Sequence, residues 1–461
     1  MASQAAPLST IQERLWFLWQ LDPSATHYNI SFGWRCAGRD ARAVEHAVRA
    51  VFARHEVLRG AYRTNATGVP SRFTLPADQV PLRTVTLPDG AAAAAAVDAL
   101  IAANHAEPFD LGVSSARIVL ATEPTGASHV LWTCHHIAVD AWSIQLIGAD
   151  LAALLGPHPQ ELPALPATYA EFAHWESSVR SDPAATSAIA RRARTAVAGP
   201  ATTPWGTPQA PDASGAPAGE VHATVGGQDF ANLTARASAE GITLYGLGLA
   251  ACAIALSEWC ATDEVVVGAN IAKRHLPGLD LVVGMFVDPV VLRLPIDRHG
   301  SLRDAVEGVW DRFLDLVEDS DASHLDVVRT AAGMRVDRHG PLFDVIVTSS
   351  EEEQSLQLPG IVLEPTPAPP PTAVKFGLSV EFVVSSERLR IHLIHPDTGR
   401  EAPAAARFAD RVCSLLRAMA AMGPDTPVPY PPAPTRAGGR FAALVDEPVS
   451  RATAPTEGIT P

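Results

Sequence analysis

The segment CHHIAVDAWS, residues 134–143, lies where a predicted strand gives way to a predicted helix. Residues 129–133 before it form a short, largely apolar run that is typical of a strand. After it, Ile147, Leu151 and Leu154 share one helical face. Loops at such junctions often carry functional side chains, because the rigid elements on both sides aim them. The two histidines of this segment are therefore the first candidates for a functional site.

His135, His136 and Asp140 are the candidate catalytic residues. Neighbouring side chains on an extended segment point to opposite faces, so one histidine can face a cleft while the other packs inward. An imidazole with a pKa near ~6.5 can accept a proton at neutral pH. A purely structural role stays open, with Asp140 acting only as a helix N-cap. A metal site formed by Cys134 and both histidines is disfavoured, because contiguous ligands do not converge easily on one ion.

Composition excludes several classes of protein. The 461 residues are 47% hydrophobic and 18% charged, so the chain can bury a large core and is not disordered throughout. A formal net charge of -15 argues against nucleic-acid or anionic-membrane partners. The five cysteines show no pairing framework, and no export signal or uninterrupted apolar span is visible. We therefore expect a cytoplasmic protein, with residues 244–259 forming a buried helix.

The two halves of the chain have a similar texture of strands and helices. Strands are predicted at residues 28–35, 116–121, 129–133, 264–271, 290–294, 343–349, 378–384 and 389–394. Helices are predicted after Ser9 and Asp40, which can act as caps, and at residues 91–103, 230–239, 243–259, 302–317 and 403–419. A proline-rich loop is expected at residues 364–371. Two α/β lobes that face each other across a cleft follow from this order.

The predicted division of the chain has four parts. Residues 1–180 form the first lobe, and residues 220–424 form the second. Residues 181–219 are rich in Pro, Ala, Thr and Gly, and connect the lobes. A helix is expected at the start of this connection, with Arg191, Arg192 and Arg194 facing solvent. Residues 425–461 lack periodicity and are expected to be an extended or disordered tail.

Residues 135–143 resemble the His-His-x-x-x-Asp-Gly core motif of condensation domains of nonribosomal peptide synthetases. Other stretches resemble further motifs of this family, in order: Ser9-x-x-Gln12-x-Arg14-Leu15-Trp16-Phe17-Leu18, Arg54-His55-Glu56-x-Leu58-Arg59, Tyr169-x-Glu171-Phe172-Ala173-x-Trp175, Val283-Gly284-Met285-Phe286-Val287, Arg335 through Pro341-Leu342-Phe343, and Lys375-Phe376-Gly377-Leu378. Because these motifs occur in the family's order, the chain is identified as a member of it.

The resemblance implies two chloramphenicol-acetyltransferase-like α/β lobes, arranged as a V-shaped pseudo-dimer with a tunnel between them. It places His136 midway along the tunnel as the main catalytic residue, with His135 and Asp140 supporting the loop. Asp140 is expected to pair with an arginine within residues 268–274, for which Arg274 is the candidate. The neighbouring residues that are expected to support the loop are Ala141, Trp142 and Ser143.

The resemblance also implies a function. It is that of a stand-alone condensation enzyme, which transfers an acyl thioester from the phosphopantetheine arm of an acyl or peptidyl carrier protein. The acceptor is a small-molecule or carrier-bound amine or alcohol, and the product is an amide or ester of natural-product biosynthesis. The carrier is expected in trans, because Gly226-Gly227-Gln228-Asp229 lacks the serine of an attachment site. No bound cofactor or metal is expected, and the protein is expected to be a monomer.

Two alternatives remain at this point, a non-catalytic recruitment module and an acyl-CoA-dependent acyltransferase of the same fold. The retained His136 argues against the first. Because carriers are usually acidic, as this chain is, a local basic patch is expected to steer docking, with candidates Arg14, Arg35, Arg39 and the cluster at Arg191.

Several positions depart from the family pattern. Ala141 stands where the family has Gly, and its methyl group would intrude if the position required a positive φ or a close approach of the pantetheine arm. Asp288 replaces an Asn and is expected to bring a charge to the acceptor side, where Ser349 is a second candidate. Gly377 replaces an Asp, and the sixth motif is hard to find in residues 319–328. These departures predict a divergent member with an atypical acceptor.

Overall fold

The computed structural model describes residues 5–90, 92–156, 162–180, 182–199, 201–204, 217–319, 321–334, 342–352, 356–358, 361–397, 401–423 and 425–429. Part of the predicted connection (205–216), the beginning of one quoted motif (335–341) and the predicted tail from residue 430 onward lie outside the described residues. The first residues of that predicted tail are ordered against the core. Pro427 forms a β-bridge with Ser301, and Val428 is buried.

Strands and helices alternate along the chain. The strands are β1 (Ala5–Pro7), β2 (Asn29–Cys36), β3 (Gly60–Thr64), β4 (Pro70–Thr74), β5 (Leu82–Thr86), β6 (Ala116–Thr122), β7 (Ser128–His135), β8 (Ala218–Gly226), β9 (Glu264–Ala272), β10 (Val287–Pro295), β11 (Val345–Glu351), β12 (Leu356–Leu358), β13 (Ile361–Pro365), β14 (Leu378–Val384) and β15 (Arg388–Pro396). The helices are α1 (Thr10–Leu21), α2 (Ala41–Arg54), α3 (Ala92–Ala106), α4 (Ala141–Leu155), α5 (Tyr169–Val179), α6 (Pro183–Val197), α7 (Gly227–Glu240), α8 (Leu244–Cys260), α9 (Leu302–Glu318), α10 (His324–Met334) and α11 (Glu401–Ala420).

Two six-stranded sheets organise these elements. One has the strand order β12-β13-β2-β7-β6-β5, and the other has the order β10-β9-β11-β14-β15-β8. Helices α2 and α4 pack on one face of the first sheet, and α3 packs on the other. The second sheet carries α7, α8, α9 and α11 on one face, with α6 and α10 against part of the other. This arrangement confirms the predicted α/β class.

The first sheet takes its edge from the second half of the chain. β13 pairs antiparallel with β2, with Leu363 opposite Cys36. Beyond the strand, Thr366 N donates a hydrogen bond to Gly33 O at 2.9 Å. The start of the predicted loop 364–371 is therefore strand, because β2 would otherwise leave an unpaired edge. The segment 356–365 joins the first sheet, unlike in the predicted division of the chain.

The predicted caps are present, and they position the first helix. Ser9 Oγ accepts from Gln12 N at 3.2 Å, and Gln12 Oε1 accepts from Ser9 N at 3.4 Å, which makes a capping box. Asp40 caps α2, whose stripe Val44, Val48, Val51 and Phe52 is buried as predicted. Local sequence therefore explains where these two helices begin and which face they bury.

The arginine cluster of α6 is only partly a solvated face. Arg191 forms an ion pair with Asp319, and the buried Arg192 donates to the carbonyl oxygens of Asp319 and Ala322. Arg191 and Arg194 are exposed as predicted, although Arg191 is paired. The prediction was wrong for Arg192, because the sequence shows its charge but not the carbonyl oxygens that receive it.

Helix α8 confirms the buried apolar helix that was predicted for residues 244–259. An unbroken run of its residues, from Gly246 to Ser257, is buried. Within the described residues, no single helix combines the length and apolar composition required to cross a bilayer; α7 and α8 meet that criterion only as a pair bent by 102°.

The placement of β13 on the first sheet can be tested through the burial of Leu363. Leu363→Ala removes a side chain that is fully buried in the first core, so we expect the free energy of unfolding to fall by about 2–5 kcal/mol in urea denaturation. Val362→Ala, on the exposed face of the same strand, is the matched control and should change it by no more than ~0.5 kcal/mol. Equal effects of the two substitutions would contradict this pairing.

Candidate active site

The candidate active-site loop joins β7 to α4, and hydrogen bonds from two other elements hold its backbone. His136 N donates to Tyr28 O at 2.8 Å. Gln12 Nε2 donates to Ile137 O at 3.1 Å. Because Gln12 also closes the capping box of α1, the first motif and the histidine motif form one structural unit.

The side chain of His136 is held in one tautomer. Its Nδ1 lies 2.7 Å from the Val139 carbonyl oxygen. A carbonyl can only accept, so the proton resides on Nδ1 and the lone pair on Nε2. Among the described residues no hydrogen-bond partner of Nε2 is present, and the side chain keeps partial solvent access. This imidazole can therefore accept a proton at Nε2.

The surroundings of His136 keep its imidazole neutral. Burial lowers its pKa to about 4, and the nearby positive charge of Lys375 acts in the same direction. The hydrogen bond to Val139 and the charge of Asp140 oppose this shift without overcoming it. At neutral pH the ring is thus unprotonated and available as a base, although a weak one.

His135 packs inward, as one of two adjacent histidines on an extended segment must. It is 2% exposed, lies between the rings of Tyr28 and Phe109, and its Nδ1 accepts from Ile137 N at 3.2 Å. Burial lowers its pKa to about 3. Cys134 is also buried, and its thiol pKa is raised to about 12 by burial. These environments suit packing and do not suit a metal site.

Asp140 ties the loop to the second half of the chain. Its carboxylate accepts from Ser143 N at 2.8 Å as the N-cap of α4. The same carboxylate accepts from Arg274 Nη2 at 2.9 and 3.0 Å and from Phe286 N at 3.2 Å. The structure therefore brings together Asp140 and the arginine that the resemblance implied.

Arg274 is itself fixed on several sides. Its Nη1 donates to Leu279 O at 2.6 Å and to Val282 O at 2.7 Å. The guanidinium carbon lies 4.1 Å from the centroid of the Phe286 ring. With both terminal nitrogens and its flat face in contact with partners, the guanidinium holds Asp140 in one orientation.

Trp142 and Ser143 add two further links between the halves. Trp142 Nε1 donates to Asp280 O at 2.8 Å. Ser143 Oγ accepts from Gly284 N at 2.9 Å and lies 2.8 Å from Gly284 O. Both contacts fix the first turn of α4 and therefore the loop that precedes it.

Ala141 causes no backbone strain. It is the first residue of α4 and is exposed, and among the described non-glycine residues only Ala261 has a positive φ. The backbone at this position therefore does not require glycine, and an intrusion caused by a positive φ does not occur.

Asp288 is buried and paired inside the protein, and its place on the acceptor side remains a prediction. It is 2% exposed, lies 3.5 Å from Lys273 Nζ and accepts from His324 N at 2.9 Å. Lys273 also donates to Glu176 at 2.9 Å, and Glu176 accepts from Thr10 N at 2.6 Å. Burial alone would raise the pKa of Asp288, but Lys273 and its other neighbours hold it below the ordinary value. The departure thus completes a buried charge cluster, which sequence reasoning missed.

Ser349 lies on β11 with an exposed side chain, and it pairs in register with Phe382 of β14. Among the described residues, no hydrogen bond joins Ser349 to His136. Its place on the acceptor side remains a prediction.

Packing against Asp344 explains the glycine at position 377. Its N donates to Asp344 Oδ1 at 3.0 Å, and a Cβ at this position would lie 2.4 Å from Asp344 Oδ2. Burial raises the pKa of Asp344 to about 6. Asp344 fills the space that a larger residue at position 377 would need.

Lys375 and Arg14 are charged residues near His136 to which the sequence assigned no catalytic role. Lys375 Nζ lies 5.1 Å above the ring of Tyr28, whose carbonyl holds His136. Burial, followed by repulsion from Arg14, lowers the pKa of Lys375 to about 8. Within the described part of the chain, neither cation forms an ion pair. Both stood inside the quoted motifs, but only the fold shows that they converge.

Comparison with known proteins identifies the family. The condensation domain model matches residues 2–429. The chain is 30% identical over 432 residues to phosphinothricin tripeptide synthetase PhsC of Streptomyces viridochromogenes, covering 90% of this chain and 39% of that protein. It thus spans well under half of PhsC.

Solved structures share the fold. The first condensation domain of the calcium-dependent antibiotic synthetase aligns with a TM-score of 0.76 at 19% identity, covering 91% of this chain and 97% of that domain. The SgcC5 protein of Streptomyces globisporus aligns with a TM-score of 0.71 at 20% identity, covering 92% and 100%. The chain belongs to the condensation domain family, whose members are acyltransferases that form amide bonds with carrier-tethered substrates.

The Asp140–Arg274 pair can be tested by its coupling. Asp140→Asn keeps an acceptor for the N-cap but leaves Arg274 without its counter-charge in a site where both side chains are nearly buried. We expect the free energy of unfolding to fall by about 3–5 kcal/mol in urea denaturation. Adding Arg274→Met should recover part of this loss, because the unpaired cation disappears. Strictly additive effects of the two substitutions would show that the pair is not coupled.

Proposed function

We propose that the protein joins a carrier-tethered acyl thioester to an amine or hydroxyl acceptor, with His136 Nε2 as the group that meets the acceptor. The observation that carries the proposal is this nitrogen: it holds a lone pair, has no protein partner among the described residues and lies where the halves meet. A donor reaching it from one mouth of a tunnel and an acceptor from the other fit the predicted V-shaped arrangement.

His136 Nε2 can carry the one proton that passes from the acceptor to the departing thiolate. The acceptor nitrogen or oxygen attacks the thioester carbonyl carbon, and Nε2 takes the proton that the acceptor loses. Collapse of the tetrahedral intermediate breaks the C–S bond, and the departing pantetheine thiolate receives that proton. Holding both reactants in place can supply about 7–11 kcal/mol of the barrier, and the base a further ~10²–10⁴-fold.

The low basicity of His136 favours an amine acceptor. An imidazole with a pKa of about 4 removes a proton from a hydroxyl group poorly. A neutral amine attacks without prior deprotonation, and its proton becomes acidic once the C–N bond forms. An amide is therefore the preferred product, and an ester is the alternative outcome of the same assay.

The setting of the reaction is also part of the proposal. We propose a monomer that meets its carrier in trans in the cytoplasm, and the five free cysteines agree with a reducing compartment. Arg35 is paired with Glu123 and Arg191 with Asp319, while Arg14 is half-buried. These three are thus poor candidates for a carrier-docking patch, and Arg39 is half-buried as well, so none of the four is both freely exposed and unpaired.

Removal of the His136 side chain tests the proposed catalytic role. With an acyl donor loaded on a carrier protein, His136→Ala should lower kcat by about 10²–10⁴-fold while the melting temperature stays near that of the parent. His46→Ala, which removes an exposed histidine of α2, is the matched control and should leave kcat unchanged. Full activity of the His136 variant would refute the site, whereas carrier binding without turnover in the parent would favour a recruitment module. Turnover of an acyl-CoA alone would favour the CoA-dependent alternative.

The pH dependence tests the role of Lys375. Because His136 must be unprotonated, kcat/KM should fall as the pH drops through about 4, well below the ordinary histidine value. Lys375→Met removes a charge that disfavours the imidazolium, so this acid limb should move to higher pH, though burial keeps it below ~6.5. Arg194→Met, which removes an exposed cation, should leave the limb in place. An acid limb that does not move in the Lys375 variant would contradict this electrostatic role.

A further inference from the structure

A cluster of imidazole and carboxylate groups lies on the second sheet. β8 and β15 are antiparallel, and His222 stands directly opposite His392. Glu220 precedes His222 by two residues and so shares its face of β8. The neighbouring residues Val221 and Ile391 point the other way, into the helix-covered core. The cluster therefore occupies the face of these strands opposite that core.

The ligand atoms of this cluster are close enough to share one ion. Glu220 Oε2 lies 2.7 Å from His392 Nε2 and 3.7 Å from His222 Nε2. The two rings stack with centroids 4.5 Å apart and 18° between their planes. All three ligand atoms lie within 4.8 Å of one another. Tetrahedral zinc with bonds near ~2.0–2.2 Å places its ligand atoms roughly 3.3 Å apart, so small side-chain movements suffice.

A second carboxylate stands where zinc sites place an orienting group. Glu381 Oε2 lies 3.5 Å from His392 Nδ1, the nitrogen that faces away from Glu220. Glu381 is held in turn by Ser350 Oγ, which donates to its Oε1 at 2.8 Å. Metal-binding histidines usually give their other ring N–H to such a carboxylate, which fixes the ring and strengthens the ligand. An ion pair between Glu220 and His392 would not require a second carboxylate at the other ring nitrogen of His392.

We propose that Glu220, His222 and His392 bind a Zn²⁺ ion, with Glu381 as the residue that orients His392. The fourth position faces the solvent beside His222, whose side chain is 54% exposed, and is open to water or an external ligand. The site is separate from His136 and does not depend on the proposed reaction. The bound ion would cross-link β8, the edge strand that follows the interlobe connection, to β15.

Protonation competes with the ion. Burial lowers the pKa of His392, but Glu381 and Glu220 more than offset this and leave it raised. The pKa of His222 is lowered, first by burial and then by His392. Zn²⁺ binds neutral imidazoles, so its binding should weaken as the pH falls.

The test uses the full chain, freed of metal with a chelator. We expect calorimetric titration with ZnCl₂ to show one site, zinc to raise the melting temperature, and Co²⁺ to give the intense visible absorption of a tetrahedral site. His222→Ala and His392→Ala should weaken Zn²⁺ binding at least tenfold, and Glu381→Gln by about 10–100-fold. His46→Ala, the exposed-histidine control, should bind as the parent does.

Each other outcome counts against the site. Unchanged zinc affinity in His222→Ala would show that the metal binds elsewhere on the chain. Absence of both a zinc-dependent rise in melting temperature and the tetrahedral Co²⁺ spectrum in the parent would show that the cluster is only an ion pair. If His392→Ala fails to fold, His222→Ala and Glu381→Gln decide, because His222 is largely exposed and Glu381→Gln preserves side-chain shape.

Discussion

The carboxylate of Asp140 holds the active-site loop to the second half of the chain through Arg274. A buried carboxylate is costly without a counter-charge, and here a guanidinium at 2.9 Å supplies one from the other half. The same carboxylate begins α4, so the cap of a helix and the bond between halves are one group. The position of His136 is consequently a property of the interface, which neither half can establish alone.

A second charged link runs beside the first, because Lys273 precedes Arg274 in the chain. Lys273 lies between Glu176 of the first half and Asp288 of the second. The neighbouring cations Lys273 and Arg274 thus neutralise carboxylates from both halves of the chain. Around His136 the balance differs: burial is the main reason that the imidazole stays uncharged, and Lys375, which has no ion-pair partner among the described residues, adds to this effect. Ion pairs hold the halves together, whereas the unpaired Lys375 helps to lower the pKa of His136.

Elements with strong local signals were predicted well, and elements that depend on distant partners were not. The helix beginning at Ser9 follows from its capping box and that beginning at Asp40 from its cap and apolar stripe, both of which involve residues a few positions apart. The end of β13, residues 364–365, falls in the predicted loop, because its strand character comes from the edge of β2, hundreds of residues earlier. Arg192 was expected on a solvated face, and the pairing of Asp288 inside the protein was not foreseen, because a sequence displays charge but not burial.

The sequence by itself determined the family, the α/β class and the histidine motif, since these reside in residue order and short-range periodicity. The resemblance to the family also implied that Asp140 would meet an arginine within residues 268–274. Only the tertiary structure decided which histidine is accessible, which ring nitrogen carries the proton, and that Lys375 lies beside His136. The reason is physical: tautomer, burial and pKa depend on atoms that packing brings together from distant positions, and no local pattern encodes those distances.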